Sequence, residues 1–151
     1  MRNFMIRNES NRQQGQTMVE IIVAIGVVVL LATGLIAGAT ITIKSAQFGK
    51  SKTLAARYSQ EALEKARSLR DSGWESFVLY GSPSGKQWCL DKLGIWTETS
   101  VSCPVNIDNF YTRSVIFVWQ EPNMKVDVAT TWLDGTKIYR VDMGTILTQW
   151  Q

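Results

Sequence analysis

Hydrophobic and polar positions are segregated along this chain. Residues 1–15 are polar and basic, with few apolar positions after Ile6. From Ile21 to Ile43 run 23 residues without one Asp, Glu, Lys, Arg, Asn or Gln. As a helix that run is ~35 Å long, enough to cross a hydrocarbon core of roughly 30 Å. Its Val and Ile content favours strand in water, but in lipid the backbone has no solvent partner, so a helix is predicted. Gly34 and Gly38 form a small-x-x-x-small pair, which could let a second helix approach closely.

From Lys44 to Asp71 the pattern becomes that of an amphipathic helix. Phe48, Ala55, Tyr58, Ala62, Ala66 and Leu69 recur at helical spacings. Glu61 and Lys65 add an i,i+4 pair in the favourable order. No proline precedes Pro83, so nothing obliges a break between Thr17 and Asp71. One continuous helix of ~55 residues would be ~80 Å long. Ser72-Gly73 supplies the stop, since glycine is the usual residue just past a helix end.

The remaining residues, 72–151, read as a small head. Gly81-Ser82-Pro83-Ser84-Gly85 is a turn-rich loop, and Pro83 stands where a nucleophile elbow would need serine. Residues 86–110 read as irregular. From Tyr111 the period is two: Val115, Phe117 and Trp119 alternate with Ser114, Ile116 and Val118. Pro122-Asn123 marks a turn, Lys125 to Leu133 a second strand, and Lys137 to Met143 a third, with a short piece from Thr145 to Trp150. Asp134-Gly135 is a strong hairpin signal. Pairing across it sets Trp132, Thr130, Val128 and Val126 opposite Lys137, Tyr139, Val141 and Met143, giving one mostly apolar face for the long helix to cover. The same register opposes Asp127 to Asp142, which is unfavourable unless Lys125 or Arg140 lies diagonally across. A solvated pair is the favoured reading there over a calcium site.

Charge follows the same segmentation. The formal net charge is +3. Residues 1–15 carry +2, the stretch to Ile43 carries only Glu20, Lys44 to Arg70 carries +5, and the rest carries −3. The chain has no His, which removes the commonest general base and transition-metal ligand. Two Cys cannot close a four-ligand zinc site alone. No catalytic, cofactor or metal site is expected, and a soluble cytosolic enzyme is disfavoured.

Glu20 is the most informative residue. A carboxylate beside a long apolar run costs roughly 2.5–3.5 kcal/mol at a helix centre and less near an end. Cutting between Gly15 and Gln16 would create a partner, an α-amine four residues from Glu20. The plainer alternative leaves Glu20 in the headgroup region with no partner.

A basic leader ending in Gly, then x-Thr-x-x-Glu and a Val/Ile-rich helix, stands here as Gly15-Gln16-Thr17-Met18-Val19-Glu20. This resembles the type IV prepilin signature, and the resemblance covers the first 70 residues. It implies that Gly15 is the last leader residue, cut by a prepilin peptidase on the cytoplasmic face. Gln16 would be the new, N-methylated first residue and Glu20 its charge partner in filament assembly. The segment Ala62 to Asp71 leading into Trp74, with Val126-Asp127-Val128, Trp132 before the Asp-Gly turn and Leu147-Thr148-Gln149-Trp150, looks like the minor pilins grouped as type IV pilus modification proteins. Position 16 is Gln where Phe or Met is usual. No Pro kinks the spanning half as in many major pilins, which favours minor pilin or pseudopilin.

The resemblance implies an α+β pilin-like fold: a leader (1–15), a membrane-spanning half-helix (16–43), an amphipathic half-helix (44–71) and a head (72–151) with a small antiparallel sheet over approximately 111–150. It implies a non-enzymatic structural subunit, single-pass in the inner membrane with its head outside the cytoplasm, then part of a cell-surface fibre. Its partners would be a prepilin peptidase, other pilin subunits, an inner-membrane assembly platform and, before assembly, the lipid bilayer. Basic residues flank the span on both sides, so charge alone does not set its orientation.

Cys89 and Cys103 read as a disulfide if the head is exported, with free buried thiols or a redox pair as alternatives; the resemblance adds that pilin heads are often stapled near their C-terminal region. All six Trp lie in the last 80 residues and read as core filling plus subunit contacts rather than a carbohydrate or nucleic-acid surface. The basic stretch is assigned to acidic faces of neighbouring subunits in preference to nucleic acid. The competing readings are a secreted domain cut after Ala39 and an uncleaved single-span anchor presenting a binding head.

Overall fold

The computed structural model describes residues 11–149, with side chains described from Thr17 onward. The expectations for the leader before Asn11 and for Trp150 lie outside the described residues. The chain divides into two units between Gln47 and Phe48.

The described part of the first unit belongs to helix α1 (Asn11–Ser72). Every side chain from Thr17 to Gln47 is exposed, and Leu30, Leu35 and Ile41 expose 73%, 76% and 70% of their surface. Burying one such side chain is worth roughly 1.5–3 kcal/mol, so this surface calls for lipid or other apolar helices. The threonines do not spoil it. Thr33 donates to the carbonyls of Val29 and Leu30, Thr40 to Ala37 and Thr42 to Gly38, at 2.8–3.1 Å. Hydroxyl protons that would lack a partner in hydrocarbon are thereby satisfied within the helix. The helix is long and apolar enough to cross a membrane.

In the second unit α1 continues to the expected stop. Ser72 Oγ donates to Leu69 O at 2.7 Å and Gly73 N–H to Arg70 O at 3.2 Å. A short helix α2 (Trp74–Val78), not anticipated from the sequence, follows at once and buries Phe77 completely. Five strands then form one antiparallel sheet: β1 (Lys86–Leu90), β2 (Trp96–Thr99), β3 (Tyr111–Gln120), β4 (Asn123–Asp134) and β5 (Lys137–Thr148), in the order β2-β1-β3-β4-β5.

The apolar stripe read from the sequence is the buried one. Ala55, Ala62 and Ala66 are fully buried, and their small side chains let the helix approach the sheet closely. Around Ala62 and Ala66 pack Phe77, Leu90, Val115, Phe117, Met124, Val126, Val128 and Leu147. A second cluster joins Ala55, Ile107, Tyr111 and Trp132, flanked by Phe48, Leu54, Tyr58, Tyr139 and Val141. Ser59, inside the stripe, hydrogen-bonds Thr130 at 2.8 Å, so both buried hydroxyls are satisfied. Trp74, Trp88, Trp96 and Trp119 pack against the first cluster and Trp132 lies in the second, as core filling requires.

Three sequence expectations need correction. Residues 86–110 are not irregular throughout: β1 and β2 form a hairpin, closed where Asp91 N–H donates to Ile95 O and Gly94 adopts φ +86°. The C-terminal piece is not separate, because β5 runs unbroken through Gly144 to Thr148. The β4–β5 register is shifted by two. The closing pair is Asp134–Lys137 and the loop is Gly135-Thr136, so Trp132 faces Tyr139 and Asp127 faces Gly144. Gly135 sits at φ +63° in the first central position, where a type II′ hairpin turn places glycine. The shift is even, so each residue keeps its face. The feared Asp127–Asp142 opposition disappears: Lys125 pairs with Asp127 at 2.7 Å and Arg140 with Asp142 at 2.5 Å.

Candidate functional site

Gly15 and Gln16 fall within the first turns of α1, and their side chains lie outside the described ones. Glu20 follows one helical turn later, exposed, immediately before the uncharged run. Four residues of helix span ~6 Å along the axis, so a carboxylate at 20 lies within side-chain reach of a backbone amine at 16, on its own chain or a close neighbour's. Between Glu20 and Lys44 the helix offers no other ionisable group.

The head is braced by contacts the sequence did not advertise. Arg113 is fully buried on the helix-facing side of β3. Its Nε donates to Leu90 O at 3.1 Å, Nη2 to Asp91 O at 2.6 Å and Nη1 to Tyr58 O at 2.9 Å, while Glu61 Oε2 stands 3.7 Å away. One side chain thus ties the end of β1 to α1 and β3. Burial pushes its pKa down, and the nearby Glu61, Asp91 and Tyr58 push it back up. The guanidinium remains charged, so these are charge-assisted bonds. Its backbone is held as well: Arg113 N–H donates to Asn106 Oδ1 at 2.9 Å, and Asn106 Nδ2 donates to Arg113 O at 3.1 Å.

Cys89 and Cys103 are bonded, with their Cα atoms 5.5 Å apart. Cys89 pairs with Ser114 and alternates with the core residue Leu90, so the bridge lies on the sheet face opposite the helix. It holds the segment around 100–107, to which Gln87 Nε2 also donates at Val101 O (3.2 Å). That segment turns through Asp108 and Asn109, both at φ +51°, a conformation these two residue types tolerate best among those with side chains. Asp108 there accepts from Tyr58 Oη at 2.7 Å and pairs with Lys92. The Lys92 bond, then the Tyr58 bond, hold the Asp108 carboxyl below its ordinary value, and the bond to Asp108 raises the Tyr58 phenol.

Outside the core, Arg57, Gln60, Leu63, Glu64 and Arg67 of α1 line an open groove against Met143 and Gly144 of β5. Among the described residues, no three His, Cys, Asp or Glu side chains are grouped as a metal site would require.

The chain matches the prokaryotic N-terminal methylation motif over residues 10–36, which brackets Gly15, Gln16 and Glu20 and reaches into the apolar run. No curated protein and no solved structure matches the chain. The motif, the long N-terminal helix and the small antiparallel sheet together fit a type IV pilin-like protein. The motif implies processing by a prepilin peptidase and assembly with other pilins. With the apolar helix, it fits a membrane-anchored pilin that is assembled into a surface fibre.

Proposed function

We propose that the chain is a minor pilin or pseudopilin, a non-catalytic fibre subunit cut between Gly15 and Gln16. Gln16 becomes the methylated N-terminus, and Glu20 neutralises its amine during assembly. The observation that carries this reading is the methylation motif framing Gly15 and Glu20 at the head of an exposed, uncharged helix. The helix supports it physically. Its surface is apolar on all sides and its threonines are internally bonded, so it can exchange lipid for neighbouring apolar helices without exposing a new polar group. The head supports it too. A disulfide and a buried arginine brace a small domain suited to life outside the cytoplasm.

N-terminal sequencing of the mature protein, with intact mass, tests the proposal. A first residue Gln16, heavier by one methylene, is expected. Thr40 would identify a conventional secreted domain, and Met1 an uncleaved anchor. Either result refutes the prepilin role.

A further inference from the structure

The two ends of the β3–β4–β5 meander differ in character. At the β3–β4 turn the exposed positions are Gln120, Glu121 and Pro122. At the β4–β5 turn the last rung on the outer face pairs Leu133 with Ile138, which expose 55% and 76% of their surface. Hairpin tips are ordinarily polar, and the two rungs above on the same face are Thr131–Arg140 and Ala129–Asp142. An exposed cross-strand pair of large aliphatics at a tip therefore asks what covers it.

Packing fixes where this tip lies within the head. Trp132 stacks on Tyr139 (centroids 5.6 Å, 23° between planes), and Phe48 meets Tyr139 edge-on at 4.8 Å. The tip is thus attached to the first residue of the second unit. Only Lys44, Ser45, Ala46 and Gln47 separate Phe48 from Ile43, where the uncharged run ends. Even fully extended, that link spans no more than ~18 Å. The headgroup zone beyond the hydrocarbon is itself about 6 Å deep on each side. The charge that favours an anionic surface comes from Lys44, Lys50 and Lys52, which stand in a stretch with no acid; at the tip Lys137 faces Asp134 across the closing rung, and Asp142 is paired with Arg140.

We infer that the β4–β5 tip is a foot resting on the anionic lipid surface of the bilayer that holds this chain's own helix. Leu133 and Ile138 enter the boundary between headgroups and acyl chains, and the lysines meet the lipid phosphates. The foot limits the head's freedom before assembly and is released when the helix leaves the membrane. This rests on the membrane-anchored reading above.

The test uses the full chain, disulfide intact, in lipid nanodiscs containing a headgroup-level nitroxide lipid. Fluorophores are attached singly through Ile138→Cys, Glu121→Cys or Val28→Cys. On phosphatidylglycerol the label at 138 should be quenched several-fold more than that at 121, and Lys137→Gln or pure phosphatidylcholine should narrow the gap. Val28, read with a nitroxide deep in the acyl chains, reports the span independently. Quenching at 28 with equal quenching at 121 and 138 overturns the foot and leaves the anchor standing. No quenching at 28 overturns both. A gap indifferent to lipid charge overturns the anionic preference. Self-quenching between labels at 138 in two-copy discs, without nitroxide quenching, overturns the lipid in favour of a second copy.

Discussion

Arg113 is the sharpest place to test how the head holds together. It makes two kinds of interaction, and they predict different outcomes. The ion pair with Glu61 is long, at 3.7 Å, and Glu61 is 41% exposed, so it is worth well under ~1 kcal/mol. The three carbonyl bonds are another matter. Arg113→Ala removes the guanidinium from Leu90 O, Asp91 O and Tyr58 O. Tyr58 lies within α1, where its carbonyl keeps a helical partner. Asp91 O keeps the Gly94 N–H at 3.3 Å, but the buried Leu90 O loses its side-chain donor, and such an orphan costs about 1–3 kcal/mol. The emptied volume adds to this, so the sum is about 3–5 kcal/mol. For a head of this size that lowers the melting temperature by roughly 12–40 °C. The assay is thermal unfolding of the full chain in detergent, followed by near-ultraviolet dichroism of the head's tryptophans. Glu61→Gln should move the midpoint by only a few degrees, and Arg113→Met, which refills the space without donors, should recover less than half of the loss. Were Glu61→Gln as damaging as Arg113→Ala, or Arg113→Met as stable as the parent, the assignment to carbonyl bonding would fail.

Replacing both Cys89 and Cys103 by Ser frees a loop of about 15 residues and should cost ~3 kcal/mol on the chain-entropy account, seen as a lower midpoint than the oxidised parent's; an unchanged midpoint refutes it. Asp108 has a lowered pKa, so its contribution is complete above the ordinary value of 3.8 and fades as pH falls toward the lowered one; Asp108→Asn, which tolerates the same φ, should flatten this part of the acid limb in a melting series. Gly81→Ala would set a Cβ 2.5 Å from the buried Met124 Sδ, costing about 1 kcal/mol, and Met124→Leu in the same chain should restore part of it. Glu20→Ala should leave leader cleavage intact yet reduce recovery in sheared fibres, and normal incorporation would refute the charge-pair role.

The helix was legible because its evidence is redundant: an uncharged run, then an alanine-rich stripe, then Ser72-Gly73. Ser59 escaped notice because a polar residue in a stripe declares itself only through its partner, and Thr130 lies 71 positions away. The Asp-Gly signal located the last hairpin but not its register, since one glycine with positive φ serves either central position and only the cross-strand packing of Trp132 on Tyr139 separates the choices. Strands β1 and β2 are five and four residues long, mix Lys86, Gln87 and Glu98 with aromatics, and take their register from β3, more than twenty residues on. Arg113 could have been found. It shares the parity of Tyr111, Val115 and Phe117, so an alternating strand points it inward, where a charge must meet a ring of acceptors.

That parity leads to a distinction between the chain's two unusual charges. Arg113 is buried among carbonyls already in place, so its electrostatics are settled when the head folds. Glu20 is exposed at the start of an apolar helix and has no cation among the residues from Ile21 to Ile43. A carboxylate moving into helix-packed, low-dielectric surroundings must neutralise or find a cation, because its unpaired charge costs several kcal/mol there. Under the proposed role the cation is supplied only after cleavage, which turns an amide nitrogen at position 16 into an amine. Uncleaved precursor would then be held out of the bundle by Glu20 itself, without any further recognition step. A double variant, Glu20→Ala in a chain whose leader is left uncut, separates this from steric exclusion by the leader. Recovery of precursor in fibres assigns the block to charge, and continued exclusion assigns it to the leader.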